Sequence, residues 1–272
     1  MVEIAINSGS LSFDTPAAVA QARGLGFTAL EINLQQGELR YDFNRQPNLD
    51  FYDLLVQEIQ LRDIRVVSVH NLFLSGAQVF SQQARREILG LAARLTARLG
   101  ASILVVHPAD LFTNEEALTR YLSGGPTGGG EVPVIAGFEE VRAELEELKV
   151  SLALENVNHW RDTLLTNQAG HMRVLTDALE CLVTLDVRRS LDRPGLERWI
   201  ELVGERIALL HLHDQVEGQE HHPPLDPAWR ERVALLKQTA ALACVIESSA
   251  TPMAHGNIRA SRDYIAQLWE DE

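Results

Sequence analysis

Ser151-Leu152-Ala153-Leu154-Glu155 is an apolar run of strand length that ends on a carboxylate, and Leu182-Val183-Thr184-Leu185-Asp186 repeats the pattern one helical segment later. The intervening Asn167 to Leu179 spaces its apolar residues with helical period. Strands that are apolar along their whole length are buried on both faces, which is the condition of a parallel sheet covered by helices. The pair therefore reads as one strand–helix–strand unit.

The same unit recurs in both directions. Upstream, strands are expected at Glu3 to Asn7, Ala29 to Leu34, Arg65 to His70 and Ile103 to His107; downstream, at Ile207 to His213 and Cys244 to Glu247. Helices fit between them at Pro16 to Leu25, Leu49 to Arg62, Ser81 to Leu99, Phe138 to Leu148, Pro194 to Val203, Pro227 to Thr239 and Asn257 to Trp269. Thr15 reads as an N-cap before Pro16, and Gly24, Gly26 and Gly100 punctuate returns to strands. Eight such units in 272 residues match a closed barrel better than an open doubly wound sheet. No G-x-G-x-x-G loop follows the first strand, which weakens the open alternative further. The expected fold is α/β, a single (β/α)8 TIM barrel over residues 1–272. The glycine-rich 123–130 falls inside the period of the barrel and reads as a mobile loop at its mouth, not a linker.

Composition limits the function classes. Hydrophobic residues at 46% and charged residues at 23% suit a globular domain with a large core. Acidic residues outnumber basic ones 38 to 24, giving a net charge of −14, and no cationic stripe follows. Nucleic acid is therefore not the expected partner. The start of the chain carries no basic segment followed by a long apolar one, and no later stretch suits a membrane span, so a cytoplasmic protein is expected. Cys181 and Cys244 read as buried thiols.

In a parallel barrel every strand points its C-terminal end at one mouth. Here those ends are polar: Glu31, His70, His107, Glu155, Asp186, His211, His213, Asp214 and Glu247. Several directly follow apolar runs, as in Val66-Val67-Ser68-Val69-His70 and Val245-Ile246-Glu247. A buried carboxylate or imidazole is costly unless compensated, and one cation compensates several together. Mixed imidazole and carboxylate donors suit Zn, Mn, Fe or Co. Glu31, beside Asn33, either touches substrate or bonds a neighbouring group.

At these residues the chain resembles the xylose-isomerase-like barrel superfamily of sugar phosphate isomerases and epimerases, ketose 3-epimerases, related dehydratases and apurinic endonucleases. Leu154-Glu155-Asn156, Leu185-Asp186, His211-Leu212-His213-Asp214 and Ile246-Glu247 carry the resemblance. It implies one divalent metal ion (Mn, Zn, Co, Fe or Mg) on Glu155, Asp186, His211 and Glu247, with His70, His107 and His221 lining a substrate pocket; His213 and, on the reading left open above, Glu31 are further candidates for substrate contact. His222 is the alternative to His221. Where the family often has Asp-x-x-His, Asp186-Val187-Arg188-Arg189 places Arg189 at the histidine position. Arginine stays protonated and does not ligate metal. It either grips an anionic group on a substrate or pairs with Asp192 or Glu197.

The resemblance further implies a small sugar-like substrate, with homo-oligomerisation left open, and proton transfer next to a carbonyl through a metal-stabilised enediolate. The fifth and eighth strands lie roughly 135° apart around such a barrel, so Glu155 and Glu247 would face substrate from opposite sides as catalytic acid and base. The rival readings are a metal-dependent dehydratase, a phosphodiesterase of the apurinic endonuclease kind, and a barrel that keeps the metal site without turnover. His159, Trp160 and Arg188 join Asn7 as candidates for selecting the substrate.

Overall fold

In a computed structural model of the chain, residues 2–12, 14–34, 49–71, 81–124, 131–156, 168–192, 195–216, 219–248 and 255–271 are described. The first half alternates β1 (Glu3–Asn7), α1 (Thr15–Gly24), β2 (Ala29–Asn33), α2 (Leu49–Arg62), β3 (Arg65–His70), α3 (Gln82–Arg98) and β4 (Ile103–Val106). Three helices follow, α4 (Pro108–Leu111), α5 (Glu115–Gly124) and α6 (Phe138–Leu148), before β5 (Ser151–Glu155), α7 (Ala169–Leu179) and β6 (Leu182–Asp186). The remainder is α8 (Val187–Asp192), α9 (Leu196–Val203), β7 (Ile207–Leu212), β8 (Asp214–Val216), β9 (Gln219–His222), α10 (Trp229–Leu236), β10 (Ala243–Ile246) and α11 (His255–Glu270).

The eight parallel strands close in the order β1-β10-β7-β6-β5-β4-β3-β2, as the sequence predicts, and β8 pairs with β9 as a separate antiparallel hairpin. Alternation along each strand divides the side chains. Leu104, Val106, Leu152, Leu154, Val183, Leu185, Leu210, Leu212, Cys244 and Ile246 face the helices and form the main core with them. Inside the barrel lies a smaller apolar floor that includes Ala5, Ala29, Ile103, Val105, Ala153, Leu209, Ala243 and Val245. Two residues further along the same strands, and so on the same inner face, come Asn7, Glu31, His107, Glu155, His211 and Glu247. The polar layer rests directly on the apolar floor.

Two register shifts tune that layer. Between Leu30 and Glu31 the pairing of β2 with β3 skips Val67, which sets Ser68 opposite Glu31. Between Val183 and Thr184 the pairing of β6 with β7 skips Ala208, which sets Asp186 opposite His211. Each extra residue lets one strand deliver its polar end beside its neighbour's.

The structure corrects several local expectations. Asp14, not Thr15, caps α1, accepting the Ala17 N–H at 3.1 Å while Thr15 becomes the first helical residue. His255 opens α11, which was expected to begin two residues later. Ser123 and Gly124 finish α5; residues 125–130, like His159, Trp160 and Pro194, lie outside the described residues. Cys181 and Cys244 are buried and unbridged, and burial raises both thiols, that of Cys181 to about 12. Among the described residues no helix is long and apolar enough to cross a membrane.

Candidate active site

The polar layer is a connected network centred on Glu155. Its Oε2 faces His70 Nε2 at 3.0 Å and His107 Nε2 at 2.9 Å, and its Oε1 faces His211 Nδ1 at 3.1 Å. Three imidazoles from β3, β7 and the residue after β4 thus converge on one carboxylate that is 3% exposed. His70 also directs Nδ1 at the Asn71 carbonyl at 3.0 Å, so both its nitrogens face acceptors and the ring is suited to carry two protons. The backbone of His107 donates to buried Asp110 at 2.9 Å, which fixes the turn from β4 into α4.

Glu247 follows β10 directly, and its Oε1 lies 3.5 Å from His211 Nδ1. Asn7 Nδ2 donates to the same oxygen at 3.3 Å. His221 approaches from the hairpin, with Nδ1 3.9 Å from Glu247 Oε2 and its ring stacked on His213 at 4.5 Å. The hairpin supplies this reach, and His221 adopts a left-handed backbone (φ 61°) at its end.

Asp186 stands to one side. Its carboxylate lies 3.3 Å from His213 Nε2 and accepts from Arg189 twice, from Nε at 3.0 Å and from the backbone N–H at 3.1 Å. Arg189 is therefore engaged with the carboxylate that was expected to ligate metal. Arg188 turns to Gln215, donating through Nη2 at 2.6 Å. Asn156 locks β5 to β6: its Oδ1 accepts the Asp186 N–H at 2.6 Å and its Nδ2 donates to the Asp186 carbonyl at 3.1 Å.

For Glu31, left open between a substrate contact and a bond to a neighbouring group, the structure shows bonds to neighbours. Glu31 is fully buried behind His211, accepting from Asn7 Nδ2 and Ser68 Oγ, each at 2.7 Å. The sequence carried a signal for this in the lone Ser68 within the β3 run, but only the register shift pairs it with Glu31. Asp214 also leaves the site: it accepts from Trp229 Nε1 at 2.7 Å and from the Leu225 and Asp226 N–H groups, tying β8 to the start of α10.

Mutual charge sets the titration of the layer. Burial alone would raise the Glu155 carboxyl, but the charge of His211 and the hydrogen bonds from His107, His211 and His70 outweigh it and hold it well below its usual range. Glu31 is likewise raised by burial but brought down to about 2, chiefly by His211. Burial opposes charge on His70, yet the Glu155 bond and charge raise it to about 9. His211 is raised well above the ordinary imidazole value because Glu247, Glu31 and Glu155 outweigh its desolvation. The site stores negative charge that buried protons balance.

A divalent cation fits this donor set. Three groups, Glu31–His211–Glu247, His70–Glu155–His211 and His213–His221–Glu247, each bring nitrogen and oxygen ligand atoms within 4.8 Å of one another. A cation would take over the balancing role of the imidazole protons, and mixed N/O donors suit Zn, Mn, Fe or Co. Glu155, His211 and Glu247 are common to the sequence expectation and these groups; Asp186 belongs to none of them.

An eight-stranded parallel barrel with carboxylates and imidazoles converging at its C-terminal mouth defines the class. The sequence profile of the xylose isomerase-like TIM barrel family matches residues 19–268, and the chain belongs to that family. Among solved structures it is similar to a D-tagatose 3-epimerase-like protein, with TM-score 0.68 and 16% identity over 99% of this chain and 97% of that one. It is also similar to a D-allulose 3-epimerase from Methylomonas sp., with TM-score 0.66 and 16% identity over 98% of each chain. An AP endonuclease of family 2 from Brucella melitensis gives TM-score 0.68 at 12% identity, over 98% of this chain and 99% of that one. At such identities the likeness establishes the fold. Comparison with curated proteins gives no match.

Proposed function

We propose that the chain is a divalent-metal-dependent isomerase or epimerase that moves a proton next to the carbonyl of a small ketose or related keto-polyol. The observation that carries this reading is the placement of Glu155 and Glu247 about one imidazole, with His211 Nδ1 3.1 Å from the first and 3.5 Å from the second. Glu155, His211 and Glu247 would hold the metal, and Asp186, paired in register with His211 but bonded to Arg189 and His213, would join them as the fourth ligand only by exchanging Arg189 for the cation. When bound, the cation supplies Lewis-acid stabilisation of negative charge on substrate oxygens.

The chain's own groups do the rest. One glutamate Oε accepts the α-proton and the other returns a proton to the opposite face, each reaching the substrate from a different strand. His70 and His107 both donate to Glu155 Oε2, which fixes the carboxylate plane and leaves Oε1 directed toward the centre. His221, near Glu247 and stacked on buried His213, would donate to a substrate hydroxyl, while His213 supports it and Asp186 from behind. Asn7 holds Glu247 in position through Nδ2.

The test is turnover. Purified protein is incubated with Mn2+, Co2+ or Zn2+ and a ketose panel that includes tagatose and allulose, the sugars named by its structural neighbours. Product epimers appearing only with metal would support the reading. Metal uptake without conversion across the panel would contradict it.

A further inference from the structure

Glu31 has no task in the chemistry just described, yet it is a fully buried carboxylate in direct contact with a proposed ligand. The two nitrogens of His211 face different surroundings. Nδ1 faces Glu155 and Glu247. Nε2 faces Glu31, 3.2 Å from Oε1 and 3.3 Å from Oε2.

We propose that Glu31 is a positioning residue that holds the Nε2–H of His211, so that His211 meets the cation through Nδ1. Both nitrogens face carboxylates, but Glu155 and Glu247 would themselves be ligands of a cation that meets Nδ1, so the one proton of the neutral imidazole stays on Nε2, against the carboxylate that is not a ligand. Glu31 is fixed in that role from behind. Asn7 and Ser68 each donate to it at 2.7 Å, so swinging forward to ligate metal would abandon two buried hydrogen bonds. The register shift that sets Ser68 opposite Glu31 builds this support into the barrel wall. Asn7 also donates to Glu247 at 3.3 Å, so a single amide coordinates the buried carboxylate with one at the mouth.

This assignment rests on the metal-dependent reading of the site, and its test separates the two. The native chain, labelled with 15N-histidine and loaded with Zn2+, is examined by long-range 1H–15N correlation, with the His211 signal identified by its loss in His211→Gln. Zn2+ affinity is measured by calorimetry for the native chain and for Glu31→Gln. The expected result is His211 protonated on Nε2 and metal-bound through Nδ1, with affinity roughly 10- to 100-fold weaker in the variant. Coordination through Nε2, or native affinity in a folded Glu31→Gln, would overturn the role of Glu31 while leaving the metal site intact. Failure of the native chain to take up any cation would instead overturn the metal-dependent reading, and the Glu31 assignment with it. The spectrum of the native chain decides the question even where the variant does not fold.

Discussion

At the scale of single residues, the site depends on carboxylates kept ionised inside the barrel by imidazoles. Glu155→Gln and Glu247→Gln each remove a proposed acid/base group with little change of shape. We expect kcat to fall about 10²–10⁴-fold in either variant, with the unfolding temperature little changed, as steady-state kinetics and thermal denaturation would show. The proton balance makes a second prediction for the metal-free chain. His70 rises from 6.5 to about 9 on folding, so its stabilisation is complete below pH 6.5 and is lost as pH rises through about 9. Glu31 falls from 4.5 to about 2, so its contribution is present above pH 4.5 and is lost as pH falls through about 2. Thermal stability of the metal-free protein should therefore decline between pH 6.5 and 9, and a flat profile there would contradict the charged state of His70. The strand-end carboxylates and histidines were legible in the sequence because each interrupts an apolar run. Their partners were not, since nothing in the chain pairs Ser68 with Glu31 or Arg189 with Asp186 until strands and turns are placed.

At the scale of elements, the barrel strands fall within a residue of the expected bounds because inward and outward faces are both apolar and each run stops at a polar residue. The additions are short. Val187–Asp192 begins where β6 ends, with Asp186 accepting the Arg189 N–H as a cap, so one residue both closes a strand and opens a helix. Glu115–Gly124 is opened by Asn114, which accepts the Ala117 N–H at 2.8 Å, and it buries Leu118 and Leu122 one turn apart. Both signals are present in the sequence but fall where strict alternation asks for a single helix. The returns to strands depend on backbone conformation. Gly26 and Gly100 have φ of 85° and 73°, where a side chain is strained. A Cβ at Gly100 meets nothing, whereas one at Gly26 would displace the Arg262 guanidinium that donates to the Leu25 carbonyl. Gly100→Ala should cost about 1 kcal/mol and Gly26→Ala more, as paired denaturant titrations would measure.

At the scale of the whole molecule, a closed sheet lets residues from Glu31 to Glu247 meet in one layer, and the proposed cation would tie together strands from around the barrel. Binding to the folded chain alone adds stability by mass action, about 2.7 kcal/mol at a hundredfold excess over Kd. Scanning calorimetry should show the transition rising on addition of Mn2+, Co2+ or Zn2+ and falling back with a chelator. The most direct measurement of the central claim is solvent exchange during turnover. Ketose incubated in D2O with metal-loaded protein should gain deuterium at the carbon next to the carbonyl, detected by NMR, and should gain none with Glu155→Gln or without metal. Conversion that proceeds equally well after the metal is stripped, or persists unchanged in both glutamate variants, would contradict it.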